Sequence, residues 1–290
     1  MISSLEFKSV TKQYGAMRAL DGASASLIAG ITGIIGPNGA GKTTLIRVLA
    51  GLLSCDSGEF FLDNERIRLE DQSWRHRIGY LPQSPGLYER MTVHEYLDYM
   101  LLLSGWKKRS TRRERIEEVS LALHIRNHLN TPVGDLSGGT KQRAAVAQAL
   151  VHDPDIILLD EPTNNLDSDE RQRLHEHLFK ISETRVTVSI GHIVNELPSI
   201  CTKILVLDKG KIIFYDSPHT LVSLANGAVK QAVVSRSEFE QSLKRSLKLL
   251  RTERSGDHVT VRFDSRFKDI DGSVIASPTL EEAYRVILQT

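Results

Sequence analysis

The sequence predicts an α/β fold: a mostly parallel sheet flanked by helices, with an N-terminal antiparallel β subdomain, a helical subdomain and a small C-terminal α/β appendage. Three observations predict it. Ile31 to Ile35, Ile156 to Leu159, Arg185 to Ile190 and Lys203 to Leu207 are strand-like runs too short for helices, and helix-patterned stretches separate them. Repeated strand, helix, strand order builds a parallel sheet covered on both faces. Between Gly86 and Leu150 the pattern is helical, and after about Ala225 the character of the chain shifts again.

In chain order, Phe7 to Tyr14 and Ser24 to Ile28 alternate as antiparallel strands, set off by turn residues at Gly15 and Asp21-Gly22. Ile31 to Ile35 ends abruptly in a glycine-rich loop, and Lys42 to Ala50 carries helix formers up to Gly51. Capping-box spacings at Thr92 with Glu95 and at Thr111 with Glu114 open helices in the segment of about 86–150. Ser168 to Ser182 reads as a helix. Farther on, Ser237 to Arg254 is rich in Lys, Arg and Glu, His258 to Phe263 alternates like an exposed strand, and Thr279 with Glu282 opens a last helix ending near Leu288. The expected organisation is a main domain over 1–220 and an accessory domain over 225–290, with the boundary between Ser217 and Ala228. The basic residues Lys244, Arg245, Lys248, Arg251 and Arg254 read first as a solvated helix face.

Composition narrows the function. With 37 basic and 36 acidic residues the formal charge is +1, so no global field draws the chain to nucleic acid or to an anionic membrane. Cys55 and Cys201 lie far apart without a CxxC spacing, which fits reduced thiols in a cytosolic compartment. Met1 to Val10 lacks the pattern of a signal peptide, and no uncharged apolar run approaches the roughly 18–20 residues that cross a bilayer. If the chain serves transport, another protein must span the membrane.

Three motifs carry chemistry. Gly36-Pro37-Asn38-Gly39-Ala40-Gly41-Lys42-Thr43 satisfies G-x-x-x-x-G-K-[ST] between a strand and a helix, the setting that a phosphate loop requires. Its glycines let backbone N–H groups point at phosphates, Lys42 reaches the terminal phosphates and Thr43 offers a hydroxyl to magnesium. A side chain at Gly41 would block that approach. Asp160 and Glu161 follow an apolar strand, so one carboxylate suits magnesium and the other suits the attacking water as general base. Leu136-Ser137-Gly138-Gly139-Thr140-Lys141-Gln142-Arg143 opens a long helix with Ser137 as its N-cap, a second anion site with no evident second nucleotide in the chain.

In this order and spacing the glycine loop, LSGGTKQR and IILLDEP resemble the ATP-binding cassette family, over roughly Leu5 to Tyr215. The resemblance implies a P-loop NTPase core, an ATPase using ATP and Mg2+, and a head-to-tail dimer. In such a dimer Ser137, Gly138 and Gly139 of one copy close on the ATP held by Gly36, Asn38, Gly39, Ala40, Gly41, Lys42, Thr43 and Thr44 of the other. It further implies that Tyr14 stacks on adenine, that Gln83 senses magnesium and the attacking water, and that Asp167 crosses between subunits. Asp160 with Thr43 would hold the metal, Glu161 would be the base, and His192 would contact the γ-phosphate. Thr140 stands where the family usually has glutamine, and Asn164-Asn165 stand where small residues are commoner; the implied site is intact.

The segment from Gln83 to Leu136 is the one that docks a permease in transporting members. Ser84 to Tyr96 and Ser277 to Tyr284 resemble the efflux branch for drugs, antibiotics and peptides. The implied function is therefore to power export through a separate integral membrane permease, on the cytoplasmic face of the cell membrane, as a homodimer or with a paralogous partner. An importer subunit is the nearer alternative. A soluble cassette acting on nucleic acid is the remoter one, because the chain has one glycine loop and only about 95 residues between Lys42 and Ser137.

Overall fold

A computed structural model describes residues 4–68, 72–191 and 200–288. These divide into two compact units, one running to Tyr215 and the other starting at Asp216.

In the first unit β1 (Ser4–Tyr14) and β2 (Met17–Ile28) form an antiparallel hairpin. Strand β3 (Gly30–Ile35) leaves for a second sheet, and β4 (Ser57–Leu62) and β5 (Glu65–Ile67) complete the first in the order β2-β1-β4-β5. Leu5, Phe7, Val10, Leu20 and Leu27 bury its inner face. The turn expected at Asp21-Gly22 does not form. Instead β2 runs through it, because register shifts along β1 and a left-handed Gly22 (φ 67°) absorb the irregularity as bulges within the ladder.

The second sheet adds β6 (Ile78–Leu81), β7 (Ile156–Asp160), β8 (Val186–Ile190), β9 (Lys203–Asp208) and β10 (Lys211–Asp216), in the order β10-β9-β3-β8-β7-β6. Every pair from β9 to β6 is parallel. Strands β7 and β8 are buried at each position, which is why their sequences are nearly continuous apolar runs. Parallel pairing also brings the C-terminal ends of β3, β7 and β6 to one edge, the edge where α1 (Lys42–Leu49) begins.

Helices α2 (Val93–Leu103), α3 (Arg109–Ala122) and α4 (Gly138–Leu150) make up the helical segment, and α5 (Ser168–Ser182) links β7 to β8. Thr92 and Glu95 make the expected capping box. Thr111 and Glu114 do not. The N-cap of α3 is Lys108, three residues earlier, and Thr111 donates to the Lys108 carbonyl at 2.8 Å. The cause is Arg112, whose buried guanidinium donates to Asp98 of α2 and to the carbonyls of Trp106 and Lys107, winding the turn ahead of the expected cap.

The second unit carries α6 (Pro218–Leu224), β11 (Val229–Ser235), α7 (Arg236–Glu238), a π-turn at Phe239–Leu243 and α8 (Lys244–Ser246). Then follow β12 (Leu249–Ser255), β13 (His258–Asp264), β14 (Val274–Ile275) and α9 (Leu280–Leu288), with sheet order β12-β13-β11-β14. Ala232, Val234, Phe239, Leu243, Val259, Val261 and Phe263 form its core. The basic residues do not share one helix face, because Lys244 and Arg245 lie on α8 and Arg251 and Arg254 on β12; Lys244 and Arg254 both pair with Glu240 at 2.9 Å, and Arg251 pairs with Glu253 at 2.7 Å.

Glu282 is 2% exposed and receives Arg262 in a bidentate pair at 2.5 and 2.8 Å. Burial pushes its carboxyl pKa up, but hydrogen bonds from Arg262 and the Thr279 N–H outweigh burial and leave it below the ordinary carboxylate value. Its contribution to stability is therefore present above the unfolded carboxylate pKa and is lost as pH falls through the folded one. Glu282→Ala leaves the half-buried guanidinium of Arg262 without its counterion and is expected to destabilise this unit by about 1.5–3 kcal/mol, read as a lowered midpoint in urea.

Candidate functional site

After Ile35 the chain turns through Gly36 to Gly41 into α1. Gly41 caps that helix in a left-handed conformation (φ 104°) and no side chain caps the first turn, so its N–H groups point outward without a side-chain acceptor. A Cβ at Gly41 would stand 2.2 Å from the Ala19 carbonyl oxygen, so the nearest obstacle to a side chain is strand β2. Gly41→Ala combines that clash with left-handed strain and is expected to cost about 2–4 kcal/mol of stability even without ligand, measurable by chemical denaturation.

A cleft of ≈ 270 Å³ opens over the loop. It is lined by Asn38, Gly39, Ala40, Gly41, Lys42, Thr43 and Thr44, by Gln83, Asp160 and Glu161, and by Met17, Ala19 and Ile190. The Lys42 ammonium donates to the carbonyls of Gly36 (2.8 Å) and Pro37 (3.0 Å). Burial lowers its pKa, and the carboxylates of Asp160 and Glu161 work in the other direction.

Asp160, at the end of β7, is 1% exposed, and its Oδ2 has no hydrogen-bond partner among the described residues. Burial and then the Glu161 charge raise its pKa, against a hydrogen bond from Thr43 and the charges of Arg47 and Lys42. An orphaned buried carboxylate oxygen beside a threonine hydroxyl, with the Gln83 amide in the same cleft, is an oxygen-donor set that fits a hard divalent cation such as magnesium.

Glu161 adopts a left-handed backbone (φ 57°), a strained state for glutamate, held by its N–H donating to the Ile190 carbonyl at 3.0 Å. Both carboxylate oxygens are engaged. Gln83 Nε2 donates to Oε1 at 3.0 Å and Asn164 Nδ2 donates to Oε2 at 2.5 Å. The buried Gln142 of α4 donates to the carbonyls of Glu161 (3.3 Å) and Pro162 (3.1 Å), tying α4 to this turn.

Ser137 caps α4 as its position requires, accepting from Thr140 N at 3.3 Å and donating to Thr140 Oγ1 at 2.9 Å. Arg143 also donates to Thr140 Oγ1 (3.1 Å) and pairs with Glu170, which in turn completes the capping box of Asp167 on α5. Thr140 thus links Ser137 to the turn that carries Asp167. At Gly139 a Cβ would lie 2.6 Å from Glu170 Oε2 and 3.3 Å from the Asn165 carbonyl oxygen, so this approach admits glycine best.

Ser137, Gly138, Gly139 and Asp167 do not line the cleft, although they belong to the same unit. Tyr14 does not line it either: it is 45% exposed at the end of β1, with Lys12 Nζ 5.7 Å from its ring centroid. His192 lies outside the described residues. Sequence reasoning assigned no role to Gln142, to Asn164, noted only as a departure from smaller residues, or to the Arg143–Glu170 pair. A glutamine followed at once by the apolar run Ala144 to Leu150 was the available sign of a buried polar tie. Cys201 is buried, and burial pushes its thiol pKa up to about 12, so it is inert near neutral pH.

The family model described as ABC transporter matches residues 20–164. Nod factor export ATP-binding protein I of Burkholderia orbicola (strain AU 1054) is 34% identical over 223 residues, spanning 76% of this chain and 73% of that protein. The chain belongs to the ABC transporter family. Among solved structures, the ATP-binding cassette MJ0796, as a dimer in a post-hydrolysis state bound to ADP and Pi, superposes with a TM-score of 0.67 at 28% identity, covering 73% of this chain and 98% of that one. A bacterial Atm1-family ABC exporter with ATP bound gives a TM-score of 0.69 at 28% identity, covering 78% of this chain and 40% of that one. The chain is thus an ABC transporter ATP-binding subunit that binds and hydrolyses ATP.

Proposed function

We propose that this ABC subunit powers export through a separate membrane permease, two copies closing head to tail on two ATP molecules. The observation that carries the dimer is the separation of two anion sites within one unit: the loop with Lys42 lines the cleft, while the Ser137-capped N-terminus of α4 does not. A second copy supplies the missing phosphate donors. Export is supported by the Nod factor export relative and the Atm1-family exporter neighbour. Among the described residues no helix is long and apolar enough to cross a membrane; in this reading the pathway belongs to the partner permease, and the subunit sits on its cytoplasmic face.

In this reading Lys42 and the first-turn N–H groups of α1 neutralise the β- and γ-phosphates, and Thr43, Asp160 and Gln83 hold Mg2+. That ion supplies charge neutralisation on the phosphate oxygens when bound. Glu161 accepts the proton of the water that attacks the γ-phosphorus, Ser137 and the N–H groups of Gly138 and Gly139 from the second copy complete the phosphate cage, and Tyr14 and Asp167 contact adenine and the opposing subunit. Closed and open dimers differ in ATP affinity, and that difference is what moves the permease.

Reconstitution of the chain with the membrane protein that co-purifies with it tests the direction. With ATP on the side of the ATPase, the cargo is expected to move away from that side. Movement toward it would make the subunit an importer's, and the absence of any co-purifying membrane protein would remove the transport reading altogether.

A further inference from the structure

The amide of Asn164 is the contact that the established family activity leaves unused. It stands on the same turn as Glu161, three residues downstream, and donates to the carboxylate at 2.5 Å. That turn is stiff. Glu161 and Asn165 both take left-handed backbones, the Asn164 N–H donates to the Glu161 carbonyl at 3.3 Å, the Glu161 N–H is bound to Ile190, and Gln142 clamps the carbonyls of Glu161 and Pro162. The other anchor, Gln83, comes from the segment after β6 and is a candidate ligand in its own right.

A carboxylate acting as base must present one oxygen to a water in fixed orientation, yet its terminal torsion is broad and roughly two-fold. Each carboxylate oxygen has about two acceptor sites. With one site on Oε2 taken by Asn164, rotation about that torsion breaks a charge-assisted hydrogen bond, so the plane of the carboxylate keeps its direction. A smaller side chain at 164 would not reach Oε2 with a two-donor amide.

We propose that Asn164 is a positioning residue for hydrolysis, fixing the plane of the Glu161 carboxylate so that Oε1 faces the attacking water. The proposal rests on Glu161 being the general base. It deepens that assignment by explaining why an asparagine stands where a small residue would suffice for the turn.

The test measures ATP turnover and KM, with magnesium, on the full-length chain and its Asn164→Ala, Asn164→Asp and Glu161→Gln variants, beside ATP-dependent association. Asn164→Ala is expected to lower kcat about tenfold while KM stays within about twofold and association is retained. Asn164→Asp preserves the shape but sets a like charge against Glu161, and is expected to lower kcat further. This isosteric variant also decides the matter if Asn164→Ala does not fold. A wild-type kcat in either Asn164 variant overturns the proposal, as does a matching loss of ATP affinity and association, which would mark a merely structural residue. Full turnover in Glu161→Gln would instead strike down the base assignment on which the proposal depends.

Discussion

Glu161→Gln is expected to lower ATP turnover by about 10²–10⁴-fold while leaving ATP affinity in place. The substitution removes the only feature that the base needs, a basic carboxylate oxygen, and preserves shape. Gln83 and Asn164 both present amides to Glu161, and an amide can rotate to offer either donor or acceptor, so the turn at Glu161 keeps its partners. The backbone anchors from Ile190 and Gln142 are untouched. Phosphate release under single and multiple turnover, set beside nucleotide binding, separates the two effects; unaltered phosphate release would mean that another group takes the proton.

Lys42→Ala is expected to act one step earlier and weaken ATP binding itself. A charge-assisted hydrogen bond contributes about 1.5–3 kcal/mol, so loss of the ammonium should weaken ATP binding about 10- to 100-fold or more. The effect on the ligand-free fold should be small by comparison. Burial already disfavours the Lys42 charge, the neighbouring carboxylates favour it, and its two hydrogen bonds are to loop carbonyls. Titration with a fluorescent ATP analogue and a thermal melt without nucleotide make the comparison. A large fall in the melting temperature with normal ATP affinity would recast Lys42 as a structural residue.

The two parts of the site differed in how far the sequence revealed them. The glycine loop and the Asp160-Glu161 pair were legible because each is local: a short strand, a tight turn and a helix start fix where their groups point. The parallel sheet then brings both to one edge, as strand order and apolar runs implied. What the sequence concealed depends on long-range packing or competing local bonds. Arg112 overrides the Thr111 cap through Asp98, and β2 passes through Asp21-Gly22 because bulges opposite β1 are available. Asn164 and Arg143 became readable as functional contacts only once the turn after β7 was folded against α4 and α5. Strands β5 and β6, of three and four residues, were too short to show a pattern.

Whether one nucleotide is held by two chains is tested most directly by sedimentation of the Glu161→Gln chain with and without saturating ATP and magnesium. The shared site predicts monomers without nucleotide and dimers with it, the dimer lost again when Ser137 is replaced by a bulky residue. A chain that binds ATP to saturation and still sediments as a monomer would contradict the shared site.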